Sequence, residues 1–325
     1  MYKLFACAVA LLVSLNGSAQ AQNLVVDPAL PDYVKSTAGV SGTVKSIGSD
    51  TMNNLMALWA EGFKKYYPNV RIEIEGKGSA TAPPALVNGT AQFGPMSRPM
   101  KDKEIDEFKK KTGYPPTGIP TSIDMLAVYV HKDNPIKSLN FEQIDAIFSK
   151  TRKKGGKNDI VTWGDLGLSG DWADKQISIY GRNAASGTYG YFKEHVLANG
   201  DFKDSVKEQP GSSAVVQAVA SDKYAIGYSG IGYKTADVRA VPLSAKSDGT
   251  PVEAKPEFAL DGTYPLARIL FVYINKNPNA DLDVLRAEFV KFLLSKQGQE
   301  VVIKDGYIPL PNDLAKTGRE AAGLK

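Results

Sequence analysis

The apolar positions of this chain change period again and again, from alternate residues to every third or fourth, with small residues at each change. "TVKSIG" (43–48) reads as a strand and "GSDT" (48–51) as the turn behind it. "MNNLMALWAEGFKKYYP" (52–68) sets Leu55, Trp59, Phe63 and Tyr66 at helical spacing before Pro68 closes it. "VRIEIEG" (70–76) alternates strictly, as a half-buried strand does. "GSATAPPALVNGT" (78–90) predicts a loop and a short helix, and "AQFGPMSRPM" (91–100) a strand end and loop. Later, "SLNFEQIDAIFSKT" (138–151) is a helix opened by a polar cap, and "LDVLRAEFVKFLLSKQGQEVVIKDG" (282–306) keeps the 3.6 period almost throughout. Residues 22–41, polar with scattered small residues and prolines, read as a loosely held leader. Strands alternating with helices predict an α/β fold with mainly parallel sheets.

One echo organises the chain. "DMLAVYVHKDNP" (124–135) and "RILFVYINKNP" (268–278) share a β-rich apolar run followed by Lys and Asn-Pro. Two such strands, far apart, read either as two crossings between lobes or as a chance likeness between common strand-and-turn pieces. On the crossing reading, lobe one is 42–127 plus 272–325 and lobe two is 128–271. The basic, Gly-rich stretch "TRKKGGKNDIVTWGDLG" (151–167) between them reads as a solvated face.

Composition adds the compartment. Lys3, the apolar run Leu4–Leu15 and Ala19-Gln20-Ala21 before Gln22 form a signal peptide over residues 1–21. Its apolar run is shorter than the roughly twenty residues a membrane span needs. Cleavage near Ala21-Gln22 would send the chain to the periplasm. Cys7 is the only cysteine and lies inside the signal, so the mature chain has no disulfides and must rest on its core. The formal charge of +4 becomes +3 once Lys3 leaves. That is too little, over 325 residues, to indicate a nucleic-acid partner.

The candidate chemistry lies where strands give way to helices. "GSDT" (48–51), "GKGSAT" (76–81), "PMSRP" (95–99), "RNAASGT" (182–188) and, more weakly, "PGSSAVVQAV" (210–219) are rich in small residues and hydroxyls. Arg182, Ser186, Gly187 and Thr188 stand directly before an amphipathic run. A helix start offers unpaired N–H groups and a partial positive charge, to which Arg182 could add a fork of donors. Taken alone, Ser186 is equally an N-cap and Arg182 a surface residue. Taken together, such loops converge beyond the carboxyl ends of an open α/β sheet and face something that only accepts hydrogen bonds. Catalytic signatures are missing. There is no G-x-S-x-G elbow, His131 and His195 have no obvious partners, and without cysteines no soft-metal site is indicated.

At these residues the sequence resembles the PstS-like phosphate-binding proteins of ABC transporters, over about 42–311. R-x-x-x-S-G-T at 182–188 is the most specific match. The GS-x-T, G-x-GS and FG-x-x-SR-P segments ahead of it also match, as do "YAIGYSGIGY" (224–233) and "YPLAR" (264–268). The resemblance implies a type II periplasmic binding protein, two α/β lobes joined by two crossings with an anion between them. It implies ligand contacts at Ser49, Asp50 and Thr51, at Ser79, at Ser97 and Arg98, and at Arg182, Ser186, Gly187 (through its N–H) and Thr188. Two departures stand out. The first loop has "SDTM" where many members have a Thr-Phe pair, and the third loop has Ser97-Arg98 where many have an Asp.

The implied function is capture of inorganic phosphate by a monomeric receptor, without cofactor or metal, for delivery to a membrane ABC permease. Phosphate near neutral pH keeps a proton that sulfate lacks, so selectivity calls for a hydrogen-bond acceptor. With the third-loop Asp missing, Asp50 is the first candidate and Asp124 the second, while Asp50 could instead cap the 52–67 helix. Three other functions stay open: a binder of sulfate, molybdate or a phosphonate on the same fold, a secreted phosphatase or phosphoesterase holding phosphate as product, and a cell-surface or phosphate-sensing role without transport.

Overall fold

The computed structural model of the protein describes residues 24–35 and 39–324. The signal peptide expected at 1–21 lies outside these residues. The chain lays down β1 (Gly42–Gly48), α1 (Asn53–Lys64), β2 (Val70–Gly76), α2 (Ala82–Val87), β3 (Gly94–Met96) and α3 (Asp102–Thr112). β4 (Thr117–His131) then runs for 15 residues out of the first lobe and into the second. There follow β5 (Leu139–Asn140), α4 (Phe141–Phe148), β6 (Ser178–Arg182), α5 (Gly187–His195), β7 (Lys207–Gln209) and α6 (Ser212–Ser221). β8 (Ala225–Gly230), β9 (Val238–Ala240), β10 (Leu243–Ser244) and α7 (Pro256–Leu260) complete the second lobe. β11 (Ala267–Ile274) leads back to the first, which α8 (Val284–Leu293), α9 (Lys296–Lys304) and α10 (Asn312–Ala321) finish.

The two echoing segments are neighbours in one sheet of order β3-β11-β4-β8-β6-β7, with β9 also on β4. β4 pairs with β11 from Thr117 to Met125 and with β8 from Leu126 to Val130. β1 and β2 pair in parallel beside this sheet, joined to it by a bridge between Ser46 and Phe93. The expectation of mainly parallel sheets holds only away from the crossings. β6 is parallel to β7 and β8, but β11 is antiparallel to β3 and β4, and β4 to β8 and β9. The reason is directional, because one crossing strand leaves the first lobe and the other returns.

Periodicity gives the packing. Leu55, Met56, Trp59 and Phe63 make the fully buried stripe of α1. Each such side chain contributes roughly 1.5–3 kcal/mol by leaving water. Trp59 Nε1 also donates to Gly298 O at 2.8 Å, so its one polar atom is satisfied.

Two expectations need correction. The 282–306 pattern is two helices, broken at Leu294-Ser295. Ser295 caps the second helix by accepting from Gly298 N at 3.2 Å and donates to Phe292 O at 2.7 Å. A Cβ on Gly298 would lie 2.0 Å from Phe292 O, so the tight corner needs glycine there. The segment read as a loose leader is anchored over residues 24–35. Leu30 and Tyr33 are buried, and the Tyr33 hydroxyl donates to Glu288 at 2.7 Å while its ring meets Phe292 edge-on. Periodicity does not reveal such a segment, because its few apolar residues, Leu24, Val26, Leu30 and Tyr33, follow no period and polar bonds such as Asn312 N to Asp27 Oδ2 and Lys296 N to Pro31 O complete the anchoring.

Candidate functional site

The loop after β1 is tight because Gly48 admits no side chain; a Cβ would fall 2.2 Å from Pro95 O. Ser49 N donates to that same carbonyl at 2.7 Å, which turns the chain across the end of β3. Ser49 Oγ is buried with no hydrogen-bond partner. Asp50–Met52 form one 3-10 turn leading into α1. The Tyr233 hydroxyl, from the second lobe, lies 3.1 and 3.0 Å from the carbonyls of Asp50 and Thr51, and the Tyr307 hydroxyl donates to Thr51 O at 2.8 Å.

The second loop is left-handed at Gly78 (φ +104°), where backbone from the two lobes meets. A Cβ there would sit 2.5 Å from Ala185 O, and Ala80 N donates to the same oxygen at 3.1 Å. Ser79 Oγ accepts from Ser97 N at 3.0 Å and lies 3.3 Å from Ser97 Oγ, so the second and third loops hold each other.

The second lobe presents the start of α5 to these three loops. Ser186 is its N-cap, accepting from Tyr189 N at 3.3 Å. Gly187 packs so closely that a Cβ would be 2.2 Å from Ser79 Oγ and 2.6 Å from Ser97 Oγ. Thr188 Oγ1 lies 2.8 Å from Thr51 Oγ1. Arg182, at the end of β6, is all but fully buried; its Nη1 donates to Ser212 Oγ at 2.8 Å and its Nη2 lies 3.4 Å from Asp50 Oδ2. Arg182 Nε has no partner. Burial holds the Arg182 guanidinium below its ordinary pKa, and Asp50 acts in the opposite direction. Asp50 Oδ2 also accepts from Ser212 N at 2.7 Å, so Asp50 bridges the lobes rather than capping α1.

Sequence reading missed a second buried arginine. Arg268, on β11, grips Asp124 Oδ2 through Nε at 3.0 Å and Nη2 at 2.7 Å, and reaches Ser97 O at 2.9 Å and Thr188 Oγ1 at 2.9 Å. It is the last residue of "YPLAR", which was legible as a match and not as a contact. Ser212 was missed in the same way, inside the weakest of the five junctions. Asp124 is fully buried, and its second oxygen accepts from Ile231 N at 3.1 Å. Arg98 goes elsewhere than expected. Both of its terminal nitrogens bind Glu104, at 2.8 and 2.7 Å, because Glu104 in the first turn of α3 also accepts from Lys101 N and so faces back along the chain.

The constellation therefore consists of two buried arginines, each beside its own aspartate, together with hydroxyls and a helix N-terminus from opposite sides. Its formal charge is balanced before any ligand arrives. Such a set suits a small oxyanion with many acceptor atoms. Outside it, His195 stacks on Tyr191 with its Nδ1 3.0 Å from Tyr191 O, and His131 Nδ1 accepts from Asp133 N. Among the described residues no group of three or more His, Cys, Asp and Glu side chains could hold a metal ion.

Two lobes, two crossing strands and loops meeting at strand ends define the class of periplasmic binding proteins. Residues 34–297 match the PBP superfamily domain. The chain is 58% identical over 299 residues to the phosphate-binding protein PstS of Pseudomonas aeruginosa, covering 92% of each. It is 30% identical to the phosphate-binding protein PstS of Staphylococcus haemolyticus, covering 85% of this chain and 84% of that one. Among solved structures it resembles a Clostridium perfringens substrate-binding protein assigned to a phosphate ABC transporter and solved with bound phosphate. The TM-score is 0.69 at 27% identity, with 83% of this chain and 100% of the other covered. The chain belongs to the PstS family of phosphate-binding proteins.

Proposed function

We propose that this protein captures inorganic phosphate between its lobes and hands it to the membrane permease of an ABC importer. It acts as an exported, monomeric periplasmic receptor, with no cofactor, no nucleic-acid partner and no catalytic step. Family membership supports the class of ligand and the transport role. The observation that carries the reading for this chain is Arg182, a buried cation paired with Asp50 whose Nε is unpartnered, together with the buried and unpartnered hydroxyl of Ser49. A buried donor left without an acceptor is costly, and a phosphate oxygen would supply one.

The binding set on this reading is Ser49, Asp50, Thr51, Ser79, Ser97, Arg182, Ser186, Gly187 and Thr188, extended by Arg268. Arg98 supports it from outside by holding the third loop to α3. Asp50 takes the ligand's proton. Both oxygens of Asp124 already have donors, whereas Asp50 is engaged through Oδ2 alone. On this reading lobe one is 42–127 plus 272–325 and lobe two is 128–271, the first boundary lying close to Leu126, where β4 changes partner, and the second within β11.

Titration calorimetry of the purified mature chain with phosphate, sulfate, molybdate and a phosphonate tests this. One phosphate per chain, bound in preference to the others, is the expected result. Preference for another oxyanion would move the chain to that ligand, and no binding at all would overturn the proposal. Release of phosphate from a generic ester would mark it as a phosphoesterase instead.

A further inference from the structure

The second lobe contains another cavity, of about 410 Å³, between the turn after β4, the β9 strand and residues 253–255. None of the residues that converge between the lobes lines it. Four cations do: Lys137, Lys234, Arg239 and Lys255, against a single carboxylate, Glu253. Glu253 lies 2.7 Å from Lys255 Nζ, and among the described residues no carboxylate pairs with Lys137, Lys234 or Arg239. Arg239 is half-buried in the same lining as the lysines. Its Nη2 donates to the carbonyls of Asn134, at 2.8 Å, and Ile136, which fixes its plane. Burial holds its pKa below the ordinary value, with no opposing carboxylate.

A second observation is independent of charge. Asn134, also lining the cavity, is 3% exposed. Its Oδ1 accepts from Ile136 N at 3.0 Å, so the orientation of the amide is fixed by a donor that only oxygen can serve. That leaves Nδ2 buried without an acceptor. A cavity whose polar side chains are nearly all donors and cations, with one donor sealed and unpaired, is short of acceptor atoms.

We propose that this cavity is a second anion site, separate from the cleft, for a small polyvalent oxyanion of the size of pyrophosphate, tripolyphosphate or citrate. The cations come from three separate chain segments around a cavity of about 410 Å³, and a ligand with several anionic groups can engage more of them than a single compact ion. The volume lies within the range of small-molecule pockets. Arg239 offers a planar fork at the base and the lysines close over the outer groups as point charges.

The test uses the mature chain with its cleft saturated by inorganic phosphate, titrated calorimetrically with pyrophosphate, tripolyphosphate and citrate in turn. At least one is expected to bind one-to-one, and to bind equally to the Arg182→Ala variant, which makes the result independent of the phosphate reading of the cleft. Which of them binds separates a phosphoryl from a carboxylate source. Replacing Lys137, Lys234 and Lys255 together by Gln should weaken that binding by about tenfold or more. Replacing Lys101, Lys103 and Lys110 by Gln, which removes the same charge from the α3 face, should leave it unchanged. Asn134→Asp keeps the acceptor for Ile136 N and adds a negative charge, and should also weaken binding. Absence of heat with all three ligands would overturn the proposal. So would equal losses in the two lysine variants, or binding that disappears in Arg182→Ala.

Discussion

The hydroxyls of Thr51 and Thr188 lie 2.8 Å apart, although one follows β1 in the first lobe and the other belongs to the first turn of α5 in the second. The lobes are thus closed on each other, and the fit between them is tightest at Gly187, against Ser79 and Ser97. Gly187→Ala should leave the melting temperature of the ligand-free protein unchanged or slightly higher, since Ala suits a helix better than Gly. It should weaken phosphate binding, because the added methyl meets two hydroxyls only when the lobes close. Small-angle scattering checks this: the wild type should compact on adding phosphate and the variant should compact less.

Arg182→Ala should remove most of the phosphate affinity while the fold survives. Loss of a charge-assisted contact from a buried site typically costs about 2–5 kcal/mol. That is a rise in Kd of roughly thirtyfold or more, read by calorimetry on folded protein. An unchanged Kd would take Arg182 out of the site.

Asp50→Asn separates proton acceptance from scaffolding. The amide still has an oxygen for Ser212 N, so stability should change little. Its NH2 group would donate where the carboxylate accepted, and sulfate should gain on phosphate in competition titrations. Asp124→Asn is the contrast. It breaks the buried pair with Arg268, which pairs with no other carboxylate among the described residues, and should destabilise the fold by about 3–5 kcal/mol in denaturant unfolding. A selectivity change at Asp124 alone would transfer the acceptor role there.

Asp305 gives the fold a pH signature. Burial raises its carboxyl from the ordinary 3.8 to about 6, while the Asn54 amide pulls it back in part. A folded-state value above the unfolded one means that the unfolded chain loses this proton first. The group's contribution to stability is therefore whole below about pH 4, declines as pH rises towards 6, and is absent above. Asp305→Asn should raise the melting temperature at pH 7 relative to wild type and have little effect at pH 4. A constant difference between the two proteins across that window would assign the effect to packing.

Much of this site was legible because its residues cluster in short windows. The stretch 182–188 announces itself: an arginine and two hydroxyls at a helix start are chemically marked and adjacent. Arg268 carries no local mark, sitting in an apolar strand. Only the pairing of Ala267 with Met125 and Arg268 with Asp124 reveals its partner 144 residues away. Arg98 illustrates the converse. Its position in the third loop was read correctly, but the direction of a long side chain depends on which carboxylate is nearest, and Glu104 is a matter of α3 geometry. In the fold, the period of 282–306 was visible, while the corner at Ser295 depends on contact between Gly298 and Phe292, which no period encodes.

The continuity of β4 has a mechanical meaning. Its ladder with β11, bulged at Thr121, ends at Met125 and its ladder with β8 begins at Leu126, so no unpaired residue intervenes where β4 changes partner. With the pairings kept, opening would be absorbed as twist shared along the two adjacent strands. Such a protein would act as a torsion spring rather than as two bodies on a tether, its excursions opposed by a restoring torque that returns the same loops to the same register.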